Sequence, residues 1–357
     1  MQRRGRPVGS AEYTAPMARV DLQIVAGTPD DEPGAADFTL AHLADPHLSS
    51  LDGVRLPALL NKRFFGYLSW RRRRRREHRI EVLDALCADL RAQRPDHIAI
   101  TGDLTHIGLP DEFRQAAEWL ARLGAPRDIS VVPGNHDAYV AEPWQATFAH
   151  WSDYLRGDGA TIAASMDAAF PSLRVRGRIA LIGLSTALPT APLLATGRLG
   201  ATQLQGLDRL LAQTADAGLF RVVLLHHPPA AHTVSWRKSL LDADALRAVV
   251  ARRGAELLLH GHAHFSTAAW LDGAGGGVPA LGAPSASALL DDPLHGARYH
   301  LCRIRGTAAG WRLSVAVRAF SAARDAFIAD DGAPLCAALA RPAMSVAAGA
   351  ASTAGRV

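Results

Sequence analysis

The sequence predicts an α/β fold in which helices cover β-sheets. Two observations support this prediction: short apolar runs alternate with segments of helical spacing, and five of the apolar runs end in a polar cluster. Residues 37–335 of the 357-residue chain show this pattern. We expect them to form one domain, because a layered α/β domain of about 250 residues with tails accounts for such a length.

The predicted elements follow one another closely along the chain. Short apolar or β-branched runs predict strands, and apolar residues repeating every three or four positions predict helices. The predicted strands are 38–43, 97–101, 129–132, 179–184, 221–225 and 256–259, and the predicted helices are 77–93, 112–123, 202–212 and 243–252. Within the C-terminal part, 295–335, segments 299–304 and 311–320 predict a pair of antiparallel strands.

Both ends of the chain have the composition of disordered segments. Residues 1–36 are rich in Gly, Pro, Ala and Asp, and residues 336–357 in Ala, Gly and Ser, so we predict a flexible tail at each end. Met17 is an alternative start of the chain. The sequence has no run of about 18 apolar residues that would predict a transmembrane helix, and its first residues lack the apolar stretch of a signal peptide.

The positive charge of the chain is concentrated in one short segment. The formal net charge is +5, and six of the 39 Lys and Arg residues are consecutive, which leaves 33 against 34 acidic residues elsewhere. This distribution gives no case for a general nucleic-acid binder. Cys87, Cys302 and Cys336 are scattered and lack CxxC spacing. They argue against a disulfide framework and favour a reducing, cytoplasmic location.

Five predicted strands run directly into polar clusters. The clusters are Asp45-Pro46-His47, Gly102-Asp103, Gly134-Asn135-His136-Asp137, His226-His227-Pro228-Pro229 and His260-Gly261-His262-Ala263-His264. Since ligands of α/β sheets bind outside the carboxyl ends of the strands, we expect the clusters to meet at one site. Their carboxylate, amide and imidazole groups suit Mn, Fe or Zn, and they are too many for one tetrahedral zinc. Two divalent metal ions that share a carboxylate are therefore the expected cofactors.

Each cluster also has an ordinary structural explanation. The Asp45 motif is compatible with a surface loop, and Asp103 with a turn or a helix N-cap. Of the adjacent His226 and His227, whose side chains point to different sides, only one is expected to be a ligand. The metal site is therefore predicted by the combination of the clusters and not by any one of them.

In this order, the five motifs resemble the calcineurin-like metallophosphoesterase family, over about residues 39–266. The resemblance implies a four-layer α/β/β/α sandwich and a metal-bridging hydroxide that attacks phosphorus. It implies the following metal ligands: Asp45, His47 and His264 for one ion, Asn135, His226 and His262 for the other, and Asp103 for both. Asp103 and His136 are the catalytic residues that it implies. His136 would stabilise the transition state or protonate the leaving group.

The activity that the resemblance implies is hydrolysis of phosphodiester or pyrophosphate bonds. The stretch from Gly102 to Glu112 is more similar to the phosphodiesterase branch. In some members an Asp three residues after the bridging Asp pairs with the cleft histidine; here that residue is His106, which leaves the partner of His136 open. A phosphomonoesterase or phosphoprotein phosphatase, a nuclease and a non-catalytic scaffold are the alternatives, although a scaffold typically loses ligands and all seven are present.

An aromatic and basic insertion, residues 55–76, separates the first cluster from the next helix. Its last six residues are Arg71, Arg72, Arg73, Arg74, Arg75 and Arg76. Aromatic residues beside a cationic run are typical of an interfacial helix, so an anionic membrane surface is a predicted partner, with a peripheral location at the inner membrane. The open alternatives are an extension of the next helix and contact with a nucleotide or nucleic acid. Residues 62–68 resemble an insertion in calcineurin-like UDP-2,3-diacylglucosamine hydrolases, so nucleotide-linked and lipid-linked phosphate esters are both substrate candidates.

Overall fold

Two β-sheets and a set of α-helices make up the computed structural model, which describes residues 21–26, 38–48, 50–161, 163–290, 292, 294–308, 310–332 and 335. The strands are β1 (Asp21–Ala26), β2 (Phe38–Leu43), β3 (His97–Ile100), β4 (Ile129–Val131), β5 (Ser172–Arg176), β6 (Ile179–Gly183), β7 (Phe220–Leu224), β8 (Leu257–His260), β9 (Thr267–Leu271), β10 (Val278–Gly282), β11 (Arg298–Thr307), β12 (Gly310–Ser321) and β13 (Ala326–Ala329). The helices are α1 (Arg63–Ser69), α2 (Arg75–Glu77), α3 (Ile80–Gln93), α4 (Pro110–Leu123), α5 (Ser152–Leu155), α6 (Met166–Ala169), α7 (Gly200–Asp216) and α8 (Ala243–Arg253).

The first sheet joins the beginning of the described chain to its end. Its strand order is β1-β12-β11-β2-β3-β4, with β13 also paired to β12. The second sheet has the order β5-β6-β7-β8-β10-β9. Strands β2, β3 and β4 are mutually parallel, as are β6, β7, β8 and β10. The carboxyl ends of each parallel set therefore lie along one edge of their sheet.

The side chains of the second sheet alternate between two hydrophobic layers. Val222 and Leu224 belong to the same core as the first sheet and helices α3 and α4, whereas Val223 and Leu225 pack with the apolar faces of α7 and α8. Because successive strand residues point to opposite faces, this alternation places one sheet against the other, with helices outside both. The predicted four-layer α/β/β/α sandwich is confirmed.

The predicted strands agree closely with the observed ones. All six strands predicted before the C-terminal pair are present within one residue of their predicted ends, and the C-terminal pair is present as β11 and β12. The predicted helix 77–93 is wrong at its start, since α3 begins at Ile80. His78 is extended there and forms an isolated β-bridge with Ala288, and the main-chain N–H of Arg79 donates to Ser287 O over 3.1 Å. This pairing interrupts the helix.

The predicted N-terminal tail, 1–36, contains a strand. Residues Asp21–Ala26 form β1, which runs parallel to residues 310–315 of β12, so the prediction of disorder is wrong for this segment. The long edge of β12 offers unpaired main-chain groups, and β1 and β13 each pair with part of it. The remainder of 1–36, and the tail 336–357, lie outside the described residues.

The insertion forms a helix that packs beside the first sheet. A π-helical turn, Trp70–Arg74, joins α1 to α2, and we call the whole of residues 63–77 the insertion helix. Its Trp70 is buried in a separate apolar cluster with Ile107 and Tyr139. The run of arginines lies at the end of this helix, so it is not an extension of α3. In the part of the chain that the structure describes, no helix is long and apolar enough to cross a bilayer.

Candidate metal centre

The predicted ligands follow the carboxyl ends of strands in both sheets. Asp45 and His47 come after β2, Asp103 after β3 and Asn135 after β4, all in the first sheet. His226 follows β7, and His262 and His264 follow β8, both in the second sheet. The site therefore lies where the two sheets meet, and each sheet supplies part of it.

The structure brings all seven predicted ligands together in two overlapping groups. Asp45, His47, Asp103 and His264 form one group, and Asp103, His226 and His262 form the other; within each, one potential ligand atom per residue lies within 4.8 Å of the rest. Asn135 joins the second group through its Oδ1, which is 3.2 Å from His226 Nε2. Asp103 is the residue that the two groups share.

Three of the histidines have one ring nitrogen against a main-chain carbonyl. His47 Nδ1 is 2.8 Å from Thr105 O, His226 Nδ1 is 2.7 Å from Thr101 O, and His262 Nε2 is 2.9 Å from Lys238 O. A nitrogen that contacts a carbonyl must carry a proton, so the other nitrogen is the one that can bind a metal ion. Metal-ligating histidines are held in this way.

His227 is placed differently from its neighbour His226. Its Nδ1 is 2.7 Å from Thr186 Oγ1 and its Nε2 is 3.1 Å from Ala195 O. Both nitrogens thus have a hydrogen-bond partner outside the site. Of the two adjacent histidines, only His226 has a nitrogen directed at the carboxylates.

Two buried carboxylate oxygens lack hydrogen bonds from the described residues. They are Asp45 Oδ1 and Asp103 Oδ2, in side chains that are 0% and 1% exposed. Each of them faces a histidine nitrogen, His264 Nε2 at 3.2 Å from Asp45 Oδ1 and His226 Nε2 at 3.4 Å from Asp103 Oδ2. A buried charged oxygen is costly without strong partners, and a divalent cation would remove that cost. The residues present therefore fit two divalent metal ions by their position, their chemistry and their unsatisfied atoms.

The electrostatics of the site couple Asp103 to His226, whose side chains lie 3.4 Å apart. Burial lowers the pKa of His226, but the Asp103 carboxylate outweighs burial and raises that pKa to about 9. Burial would raise the pKa of Asp103, but His226 and His136 hold it well below its ordinary value. Without metal, a proton on His226 thus balances the carboxylate, and a bound cation would replace that proton.

The main chain is strained at most of the predicted ligands. Asp45, His47, Asp103, His262 and His264 all have positive φ angles, between 43° and 68°. Residues with a side chain rarely adopt this left-handed conformation, which costs about 1–3 kcal/mol each and concentrates at functional sites. The turns after β2 and β8 use it to direct both members of an Asp-x-His or His-x-His pair inwards, and the turn after β3 uses it to direct Asp103.

Asp137 supports the turn that carries Asp103. Its carboxylate accepts hydrogen bonds from the main-chain N–H groups of Asp103, Thr105 and Gly134, each over 2.9 Å. Gly134 is required for close approach, because a Cβ at this position would collide with the side chain and main chain of Asp103. Gly134 and Asp137 belong to one motif of the sequence, but the sequence does not indicate that Asp137 supports the turn of Asp103.

Sequence analysis did not single out one basic side chain that reaches the site. Arg74, half-buried in the insertion helix, has its Nη1 2.9 Å from His136 Nε2. His136 Nδ1 is 2.5 Å from the main-chain oxygen of His106, so Nδ1 carries the proton and Nε2 accepts from Arg74. The carbonyl of His106 thus occupies the role for which some family members use an Asp. Burial, together with Arg74, lowers the pKa of His136 to about 3.

The fold and the site together define a class of protein, the two-sheet α/β enzymes that use metal ions to hydrolyse phosphoesters. A sequence profile of calcineurin-like phosphoesterases matches residues 38–266, and the chain belongs to this family. Its members depend on two metals, and the expected enzyme class, a metal-dependent phosphoesterase, is confirmed.

Two relatives with similar sequences come from bacteria. The chain is 26% identical over 212 residues to a probable cyclic nucleotide phosphodiesterase of Synechococcus sp., a match that covers 58% of this chain and 72% of the relative. It is 28% identical over 244 residues to a cAMP/cGMP dual specificity phosphodiesterase of Mycobacterium tuberculosis, over 65% of this chain and 63% of the relative. Roughly a third of each relative therefore lies outside the match.

A solved structure shares the fold. The dimetal phosphatase from Danio rerio superimposes with a TM-score of 0.50 and 12% sequence identity, over 75% of this chain and 95% of that one. At this identity the likeness concerns the fold alone.

Proposed function

We propose that this protein is a dinuclear-metal phosphodiesterase that hydrolyses phosphodiester bonds of nucleotides. The observation that supports this proposal best is the pair of ligand groups that share Asp103 at the junction of the two sheets. The relatives named as cyclic nucleotide phosphodiesterases support the diester and the nucleotide. Pyrophosphate bonds are the second candidate, because the same centre suits either linkage.

The proposed ligand sets follow the two groups in the structure. Asp45, His47 and His264 would hold one ion, Asn135, His226 and His262 the other, and Asp103 both. The mixture of oxygen and imidazole ligands suits Mn, Fe or Zn. Two such ions, when bound, supply Lewis acidity that lowers the pKa of water and neutralises charge on phosphoryl oxygens.

Arg74 and His136 would act together on the phosphoryl group. Neutral His136 accepts from Arg74 and so holds the guanidinium at the edge of the site. The remaining N–H groups of Arg74 can then donate to two phosphoryl oxygens, the geometry for which arginine is suited. Because the pKa of His136 is about 3, this arrangement favours its role in transition-state stabilisation over protonation of the leaving group.

An exposed tryptophan two residues from a main-chain contact of His262 supports the proposal of a nucleotide substrate. Trp236 is 69% exposed and lies two residues before Lys238, whose carbonyl contacts His262. The flat ring of Trp236 can stack on a nucleobase while the phosphodiester occupies the metal centre. We therefore propose Trp236 as the contact that selects nucleotide esters.

The activity test compares four substrates with the Mn²⁺-loaded enzyme. We expect turnover of bis(p-nitrophenyl) phosphate above p-nitrophenyl phosphate, and turnover of 3′,5′-cyclic AMP above a UDP-linked acyl glucosamine. Trp236→Ala should raise KM for cyclic AMP and leave bis(p-nitrophenyl) phosphate unaffected. His136→Ala should lose diester turnover, and exposed His150→Ala is its control. Preference for the monoester would overturn the proposal in favour of a phosphatase. Preference for the UDP-linked lipid would overturn it in favour of hydrolysis of a pyrophosphate bond.

The outer face of the insertion supports a second proposal, contact with an anionic membrane surface. Leu56, Leu60, Phe64 and Phe65 are 52–84% exposed, and every residue of 71–76 except Arg74 is exposed. Apolar residues beside arginines are what an interface of anionic lipids binds. We expect co-sedimentation with vesicles of phosphatidylglycerol but not with phosphatidylcholine, reduced by Leu60→Glu. Equal binding of Leu60→Glu would contradict an apolar contribution.

A further inference from the structure

His78 is a histidine at the site that none of the five motifs contains. It follows the insertion helix directly and is only 9% exposed. The centroid of its ring is 4.6 Å from that of His47 and 5.9 Å from that of His264. His78, His47 and His264 form a third group, in which one potential ligand nitrogen per residue lies within 4.8 Å of the others; Asp45 and Asp103 do not belong to this group. Two predicted ligands of one ion thus have a third imidazole beside them.

Two serines hold the ring of His78. Its Nδ1 is 2.8 Å from Ser287 Oγ and 3.3 Å from Ser285 Oγ. The Ser285 hydroxyl donates to Asp45 O over 2.7 Å, so this serine also braces the turn that carries a predicted ligand. This contact with His78 Nδ1 resembles the contacts at the second nitrogens of His47, His226 and His262, although here hydroxyls replace carbonyls.

The other nitrogen of His78 has no hydrogen-bond partner among the described residues. His78 Nε2 is buried, and in this respect it matches Asp45 Oδ1 and Asp103 Oδ2 at the same site. An unpartnered polar nitrogen in a buried position is costly and calls for a ligand. When Nδ1 donates to Ser287, Nε2 presents a lone pair, which is what a cation requires.

We propose that His78 is an additional ligand of the ion held by Asp45, His47 and His264, and that it binds this ion through Nε2. The proposal rests on the proposed function in placing an ion there. A further imidazole makes this position richer in nitrogen and favours Zn or Fe over Mn. It also ties the end of the insertion helix, four residues after Arg74, to the centre.

The test measures metal binding in His78→Ala rather than activity alone. After Co²⁺ substitution, we expect a changed d–d absorption spectrum and an affinity about 10–100-fold weaker for one of the two ions. The matched control is His97→Ala, since His97 is also buried, has one nitrogen 2.8 Å from a serine and lacks a partner at the other. It should leave the spectrum and both affinities unchanged. His78→Gln retains more side-chain volume and replaces His78→Ala if that variant fails to fold.

The outcomes separate this proposal from the proposed function. Identical Co²⁺ spectra and affinities in wild type and His78→Ala would overturn the ligand role. Unchanged metal affinity with weaker binding of orthophosphate would overturn it too, since His78 would then contact substrate. A third outcome would overturn the proposed function alone. In it, the wild-type protein binds two ions, His78→Ala changes the Co²⁺ spectrum and affinity, and the wild-type protein hydrolyses no diester.

Discussion

Arg74 alters the chemistry expected at the most reactive residue of the site, His136. An imidazole that accepts from a guanidinium stays neutral, and in the proposed mechanism the cation next to the phosphoryl group is then the arginine. A single side chain from the insertion thus supplies the charge that a protonated histidine would otherwise have to supply. The role of one residue depends here on a residue 62 positions away in the chain.

Replacement of Arg74 tests this assignment. In Arg74→Ala we expect kcat/KM for bis(p-nitrophenyl) phosphate to fall by about 10²–10³-fold, the loss typical of one preorganised donor. Metal content, measured by mass spectrometry, should stay the same. Arg73→Ala is the control, because Arg73 is exposed and pairs with Glu77 over 3.0 Å. Equal losses in both variants would indicate a general effect of charge instead of a contact by Arg74.

The sequence predicts the seven ligands but not Arg74 or His78. Each ligand belongs to a motif that ends a strand, and the position of a strand end is readable from apolar runs. Arg74 is one of six identical neighbours, and only the rotation of the helix about its axis decides which of them turns inwards. His78 depends on pairing with Ala288, more than 200 residues later, which no local pattern records.

The insertion helix is the element that brings this second set of residues to the centre. It is anchored by Arg63, which is buried, donates to Ile107 O and pairs with Glu142 over 2.7 Å. Gly66 lets the helix backbone approach Ile107 and Tyr139 closely, because a Cβ at this position would lie 2.5 Å from Ile107 Cγ2 and 2.7 Å from Tyr139 Oη. The position of the helix therefore depends on a residue with no side chain.

Gly66→Ala should displace the helix without touching any predicted ligand. We expect a lower kcat/KM for the diester, because Arg74 moves away from His136. Gly275→Ala is the matched control, since nothing lies within 4 Å of a Cβ at that position. Activity equal to wild type in Gly66→Ala would show that the helix tolerates the added methyl group.

The strands that the sequence does not predict have weak local patterns. Strand β10 contains a proline and ends in a glycine, which disfavour strands, and β13 has only four residues. Both pair along the edges of stronger strands, β8 and β12. Pairing with strands elsewhere in the chain therefore determines that β10 and β13 form, whereas the central parallel strands are predicted by their own apolar runs.

The whole molecule buries several neutral histidines away from the predicted ligands. Burial lowers the pKa of His97 and of His300 to about 3, whereas an unfolded histidine has a pKa of about 6.5. At a pH between the folded and the unfolded pKa, the unfolded chain binds more protons than the folded one. The free energy of unfolding should therefore fall as the pH falls from about 6.5 towards about 3.

Urea denaturation of the metal-free protein measures this dependence. We expect a lower free energy of unfolding at about pH 5 than at about pH 7.5, and a smaller difference in His97→Gln, which no longer titrates there. An equal difference in the variant and in wild type would exclude His97 as a contributor.

The order of the strands also has a consequence for synthesis on the ribosome. Strand β2 precedes Asp45, but its neighbour β11 emerges after all seven predicted ligands and after the entire second sheet. A nascent chain that ends near residue 266 has every ligand, yet β2 lacks the strand that pairs with one of its edges. We therefore expect the complete metal centre to form only when translation is nearly complete.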